Sequence, residues 1–111
     1  MESKFKKYEL YNTENGRIIS VNGDAMEMEL VDESFELFKS LYNKFYGLID
    51  EDENLISIHT GGWSENEELI REFEMTVWWF KYHQITTRGG HYYFNRDLEG
   101  KKEWKIVKKN L

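Results

Sequence analysis

Hydrophobic residues along the chain recur with two periods, one typical of helices and one typical of strands. From residue 32 they are spaced by three and four positions, which predicts an amphipathic helix over about 33–46. The apolar stripe of this helix consists of Phe35, Phe38, Leu41, Tyr42 and Phe45. Gly47 follows the stripe and is expected to end the helix.

A second helical pattern covers about 64–83. Its stripe consists of Leu69, Ile70, Phe73, Val77 and Phe80. Met75, Trp78 and Trp79 widen the apolar surface beyond one stripe, which favours a central helix over one that offers aromatic surface to a partner. The sequence therefore predicts two helices, of which the second lies deeper in the fold.

Alternation of apolar and polar residues predicts the strands. In chain order these are 5–11, 17–21, 26–30, 55–60, 91–95 and 103–108. The third segment could instead begin the first helix, and 50–54 is expected to be a short acidic connection. Asn15-Gly16 is a strong hairpin signal, and 97–100 is expected to be the turn of a C-terminal hairpin. The succession of strand, helix and strand over 55–95 would also allow a parallel crossover.

Together these elements predict an α+β fold: a single domain over 1–111, with a mostly antiparallel sheet of five to six short strands and two helices packed on it. A chain of 111 residues of which 40% are hydrophobic is long enough for one core. No apolar run approaches the roughly 20 residues that span a bilayer. Because the chain also has no cysteine, a soluble protein of a reducing cytoplasm is expected, with no membrane partner.

The net charge of −6 is unevenly distributed. Residues 24–53 contain ten acidic side chains and two lysines, a net charge of −8. Residues 96–111 contain six basic and three acidic side chains, a net charge of +3. The acidic total argues against general nucleic-acid binding, which favours basic surfaces. It permits an acidic surface that competes with nucleic acid for a basic partner, or simply a solvated face.

The candidate chemistry lies in two segments that contain paired glycines. Ser64 and Glu67 have the spacing of a capping box at the start of the second helix. Just before them, Gly61 and Gly62 would let an anion approach the free amides of the helix N-terminus, although an ordinary glycine turn is the simpler interpretation. Arg88 could bind a phosphate or carboxylate beside Gly89 and Gly90, and Trp63 or Tyr92 could stack on a base. The competing interpretation is that these aromatic residues fill the core and that the arginine pairs with a glutamate.

His59 and His91 lie in strand segments next to the glycines and could meet across neighbouring strands. With a glutamate they would form a metal or acid–base site, but the local spacing of zinc ligands is missing. Structural histidines are therefore favoured. The sequence predicts no catalytic residues, no metal ligands and no cofactor.

Three segments resemble a group of small bacteriophage and prophage proteins of uncharacterised function, which carry T-G-G-W-S-x-N-E, an aromatic helix and R-G-G-H-Y. They are Thr60-Gly-Gly-Trp-Ser-Glu-Asn-Glu-Glu-Leu69, Trp78-Trp-Phe80 and Arg88-Gly-Gly-His-Tyr-Tyr-Phe94. The likeness covers about 55–95. It implies a phage accessory protein that acts in the bacterial host cytoplasm.

Three functions follow as hypotheses. The first is a non-enzymatic phage protein that binds and modulates a host protein, such as a nucleic-acid-binding defence protein, as a counter-defence inhibitor comparable to an anti-CRISPR. The second is a protein that binds and sequesters a nucleotide or other anionic small molecule. Its site would consist of His59, Gly61, Gly62, Trp63, Arg88, Gly89, Gly90, His91 and Tyr92. The third is a small metal-dependent hydrolase, and self-association is open in all three.

Overall fold

A four-stranded sheet, a separate hairpin and three α-helices make up the described part of the chain. The computed structural model describes residues 3–14, 17–21 and 25–97. In chain order its elements are a 3-10 helix at Lys6–Tyr8, then β1 (Leu10–Glu14), β2 (Arg17–Ser20), α1 (Met28–Leu41), β3 (Leu48–Asp52), β4 (Leu55–His59), α2 (Ser64–Phe73), α3 (Val77–Tyr82), β5 (His83–Thr87) and β6 (His91–Asn95). Within these residues no helix is both long and apolar enough to cross a bilayer.

All strand pairs in the two sheets are antiparallel. β1 pairs with β2, and the larger sheet has the order β3-β4-β6-β5. The α+β class is confirmed, as is the pairing of the first two strands as an antiparallel hairpin. The parallel crossover over 55–95 is wrong, because the chain returns through α2, α3 and β5 to place β6 antiparallel to β4. The C-terminal hairpin predicted over 97–108 lies almost entirely outside the described residues.

α1 begins and ends about five residues earlier than the pattern predicts. Its buried face is formed by Val31, Ser34, Phe35 and Phe38. The strand predicted over 26–30 is therefore wrong, and the alternative that this segment begins the first helix is confirmed. Ser34 fits this apolar face because its hydroxyl donates to the Val31 carbonyl at 2.6 Å. Tyr42 is already extended, and Phe45 therefore lies outside the helix.

The single helix predicted over 64–83 is wrong, because the chain breaks at Glu74–Thr76 into α2 and α3. The Leu10 amide donates to the Met75 carbonyl at 2.7 Å, so the N-terminal segment is hydrogen-bonded to the break between the two helices. The Thr76 hydroxyl accepts from the Trp79 amide at 3.2 Å and caps a new helix. His83, the predicted end of the helix, instead begins β5, a strand over 83–87 that the pattern does not predict.

Strand boundaries differ from the prediction at two further places. The acidic 50–54 connection is largely β3, an edge strand whose charged side chains remain in water. The first predicted strand begins only at Leu10, because Lys6–Tyr8 forms a 3-10 helix that buries Tyr8. Both corrections concern short segments where charged residues obscure the alternation.

The core lies between one face of the large sheet and the helices. Ile56, Ile58 and Phe94 are fully buried on this face. Trp78 of α3 packs between this face and α1, with its ring centroid 4.9 Å from that of Phe94 on β6 and 4.4 Å from that of Phe35 on α1. The second helical segment is therefore central, as predicted.

We expect Thr76→Ala to lower the free energy of unfolding by about 1 to 2 kcal/mol, because the substitution removes the N-cap of α3. Urea unfolding at neutral pH measures this change. Ser40→Ala is the matched control. The Ser40 hydroxyl donates to the Leu37 carbonyl of the same helix at 2.7 Å, but it is exposed and caps nothing. Equal effects of the two substitutions would contradict the capping role.

Candidate functional site

Two glycine turns meet at one end of the large sheet. The Thr60 amide, just after β4, donates to the Gly90 carbonyl, just before β6, at 3.0 Å. Gly61, Gly62, Gly89 and Gly90 all have positive φ angles, of 66°, 77°, 89° and 78°. The segments that the sequence analysis singled out therefore come together in space.

Two of these glycines are required by close packing as well as by backbone conformation. A Cβ atom at Gly61 would overlap the Tyr46 carbonyl oxygen. A Cβ atom at Gly90 would overlap the Thr60 hydroxyl. The paired glycines thus allow three loops to pack backbone against backbone.

His59 and His91 face each other across β4 and β6. They are directly paired in register, and their Nδ1 atoms lie 2.7 Å apart. The His59 Nε2 atom lies 3.0 Å from the Ser57 hydroxyl, two residues earlier on the same face of β4. One Nδ1 atom must carry a hydrogen and the other must accept it. Sequence reasoning anticipated the histidine pair but missed Ser57, whose only signal is its spacing of two from His59.

The surroundings of His59 favour its neutral form. Burial lowers the pKa of His59 from its ordinary value of 6.5, and the neighbouring His91 lowers it further. The Asp50 carboxylate on β3 acts in the opposite direction. The His59 imidazole therefore takes up a proton less readily than a solvent-exposed histidine does.

The start of α2 does not have the predicted capping box. The N-cap position is Trp63, and its side chain makes no capping hydrogen bond. Glu67 instead accepts from the Thr60 hydroxyl at 3.3 Å, and the same hydroxyl accepts from the Gly62 amide at 3.3 Å. Because this network occupies a free amide and brings a carboxylate to the helix N-terminus, the geometry does not favour an anion there.

The remaining candidate residues do not all share one surface. Trp63 stacks on Tyr46, with ring centroids 4.2 Å apart, and its indole nitrogen is buried with no hydrogen-bond partner among the described residues. Tyr92 pairs with Ile58 and its ring packs against Trp79, so it lies on the helix-facing side of the sheet, opposite His91. Arg88 is exposed in the β5–β6 turn.

An exposed group of apolar side chains, which the hydrophobic pattern does not predict, lies in the connection between α1 and β3. We call residues 43–48 the aromatic turn. Phe45 is 84% exposed, Tyr46 47% and Leu48 57%. The pattern placed Phe45 in the core stripe of the first helix, which is wrong because α1 ends before it.

Asn66 of α2 holds the aromatic turn in place. This side chain is 1% exposed, accepts from the Asn43 amide at 3.0 Å and donates to the Asn43 carbonyl at 3.1 Å. The Asn43 side chain accepts from the Phe45 amide at 3.0 Å. A buried amide that bonds both backbone groups of one residue fixes the start of the turn.

Within residues 3–14, 17–21 and 25–97, no group of three or more histidine, cysteine, aspartate or glutamate side chains is arranged to hold a metal ion. No protein-family model matches the sequence, and comparisons with curated proteins and with solved structures give no match. The function of the site must therefore be argued from its own residues.

We expect Gly90→Ala to destabilise the protein more than Gly62→Ala. Both residues have positive φ, which costs an alanine about 1 to 2 kcal/mol. Only at Gly90 does the new methyl group meet another atom, whereas Gly62 has no atom within 4 Å, so Gly90→Ala should cost about 3 kcal/mol or more. Urea unfolding of both variants separates the two effects, and equal losses would contradict the close packing at Gly90.

Stability should fall as the pH drops from 7.5 to 5.5. Burial is the main cause that lowers the pKa values of both His59 and His83 from 6.5. Because the folded state then binds fewer protons than the unfolded state, the free energy of unfolding is highest above about pH 6.5 and decreases below it. Urea unfolding across this range measures the slope, which His59→Gln and His83→Gln should each reduce. A stability that rises on acidification would contradict this prediction.

Proposed function

We propose that this protein is a non-enzymatic binding protein that docks its aromatic turn, together with the neighbouring acidic strand β3, onto a positively charged host protein. One observation carries the proposal: Phe45 is 84% exposed on a turn that the buried Asn66 side chain holds in place. Three properties of the turn support this role: its apolar surface, its rigidity and the charge around it.

The apolar surface of the turn is unusual for the end of a helix. Burying a phenylalanine side chain stabilises a protein by about 1.5 to 3 kcal/mol. Because Phe45 is largely exposed, most of this stabilisation is absent. Tyr46 and Leu48 extend the exposed patch along the chain. Contiguous exposed apolar groups with a polar rim are typical of protein-binding surfaces, whose strongest contacts are often aromatic.

The turn is also rigid before any partner arrives. The Gly47 amide donates to the Asn43 carbonyl at 3.2 Å, and the Tyr46 ring stacks on Trp63. The Tyr42 hydroxyl donates to the His59 carbonyl at 2.6 Å. A surface that is already ordered loses little conformational entropy on binding, which favours affinity.

Acidic side chains outnumber basic ones around the turn. Asp50, Glu51 and Asp52 are exposed on β3, which begins at Leu48. The basic groups beside them are Lys44, exposed within the turn, and Lys39, which pairs with Glu51 at 3.3 Å. Asn66 and Asn43, whose hydrogen bonds hold the turn, also line a cavity of about 220 Å³. Its lining consists of Lys4, Leu41, Asn43, Glu65, Asn66, Glu68, Leu69 and Glu72. Its three glutamates outnumber its one lysine, so a net negative charge over a partly apolar floor would suit an arginine or lysine side chain of a partner.

The likeness to phage proteins supports a host protein as the partner and a counter-defence inhibitor as the role. An acidic surface that covers a basic one competes with nucleic acid for the same charges. Inhibition by occupying a nucleic-acid-binding surface needs no catalytic residue.

To test this function, wild type and variants should be used as bait in bacterial lysate, with retained proteins quantified by mass spectrometry. Phe45→Ala should weaken binding of the true partner by about 2 kcal/mol, or roughly 30-fold, as at other aromatic hot spots. The double variant Asp50→Lys, Asp52→Lys should also lose that partner, because it reverses the charge of β3.

Two control variants make this test specific. Phe80→Ala removes an aromatic side chain that is 54% exposed on α3. Glu27→Lys with Glu29→Lys reverses two exposed charges at the start of α1, about 20 Å along the helix from the aromatic turn. Both controls should retain the partner. The proposed partner is a protein that wild type and both controls retain and that both interface variants lose. The proposal fails if there is no such protein. It also fails if native mass spectrometry finds that Phe45→Ala only dissociates a homodimer.

A further inference from the structure

The contact between His59 and His91 allows only some protonation states. In the neutral pair, one Nδ1–H donates to the other Nδ1 atom across 2.7 Å. When one proton is added, the imidazolium Nδ1–H still has a neutral Nδ1 acceptor, so the bond remains. When a second proton is added, two N–H groups and two positive charges face each other at this distance, and the bond cannot form.

We propose that the His59–His91 pair controls the aromatic turn by protonation: it holds the turn in its binding geometry with up to one added proton and releases it when the second is added. This inference rests on the proposed function, for which it names a mode of regulation. The acid-induced change in the turn itself can be measured without any partner.

The connection from the histidines to the turn is direct. The His59 carbonyl accepts from the Tyr42 hydroxyl at 2.6 Å, and burial raises the pKa of Tyr42 to about 12, so this hydroxyl remains a donor. Leu48 pairs with His59 in register, and the tight packing of Gly61 against Tyr46 places the next loop on the turn. A displacement of the His59 end of β4 therefore changes the support of the turn at three points.

Charged and titratable groups lie on the elements next to the pair. Asp50 on β3 favours a positive charge on His59, Glu67 on α2 accepts from the Thr60 hydroxyl, and Arg88 is exposed in the β5–β6 turn. Tyr93 on β6 is another neighbour, with its ring centroid 5.9 Å from that of His59, and Thr87, which pairs with His91 from β5, does not titrate. Repulsion between the two charged rings opposes the second proton and not the first, so the two steps separate.

The effect on a partner should be release in acid. Opening the pair loosens the turn, and each added proton reduces the negative charge that attracts a basic surface. Both effects weaken binding, so they do not cancel.

The test is an NMR titration of the protein alone, which follows the His59 ring and the amides of Phe45 and Gly61 from neutral to acid pH. In wild type, both amides should shift together with the second protonation step. In His91→Gln the glutamine amide can still donate to or accept from His59 but cannot become charged. That acid step of the turn should then disappear, and His59 should titrate at a higher pH than in wild type. His83→Gln, which alters a histidine outside the pair, should leave the step unchanged.

The inference is overturned if the Phe45 and Gly61 amides of wild type do not move in the acid step, or if His91→Gln keeps the same step. His59→Gln provides the reciprocal variant should His91→Gln fail to fold. A clear acid step in the turn without any partner in the capture experiment would reject the proposed function and leave the proton coupling in place. A captured partner whose affinity is the same at neutral and acid pH would support the proposed function and reject its control by the histidine pair.

Discussion

The packing of Phe73 is the constraint on which the remaining architecture depends. This fully buried ring contacts aromatic side chains from the N-terminal segment, α1 and α3, namely Phe5, Phe35, Phe38, Trp78 and Trp79. Because Phe73 is the last residue of α2, the chain turns directly after this fully buried side chain. The break between α2 and α3 then allows Trp78 to reach both Phe35 and the sheet residue Phe94.

The same buried face of α2 also positions the candidate site. Asn66 lies seven residues before Phe73, which is two helical turns, so both side chains point to the same side of the helix. The core contact at one end therefore fixes the amide that bonds Asn43 at the other. In this way an aromatic core determines the geometry of an exposed turn at the molecular surface.

Periodicity predicts the parts of this fold in which one face is consistently apolar. β4, β6 and the helical character of 64–82 follow from such patterns. The break at 74–76 depends on an amide from Leu10, which is distant in the sequence, and β3 is an acidic edge strand with little apolar alternation. Neither can be found by local pattern alone, because tertiary contacts decide both.

The candidate site divides in the same way. The meeting of His59 with His91 was predictable, since paired strands bring such residues together. The exposure of Phe45 was not, because its spacing from Leu41 and Tyr42 continues the helical stripe although the helix has ended. Asn66 gave no signal, since a buried asparagine is recognised only by the backbone groups it satisfies.

The four glycines with positive φ limit which substitutions the junction of loops can accept. Each pair sets a backbone path, and the close contacts of Gly61 and Gly90 exclude side chains at those positions. Gly62 has no atom within 4 Å, so at that position only the backbone angle opposes a replacement. The path of the junction is therefore set by its backbone, and an exposed neighbour such as Arg88 is free to vary without altering it.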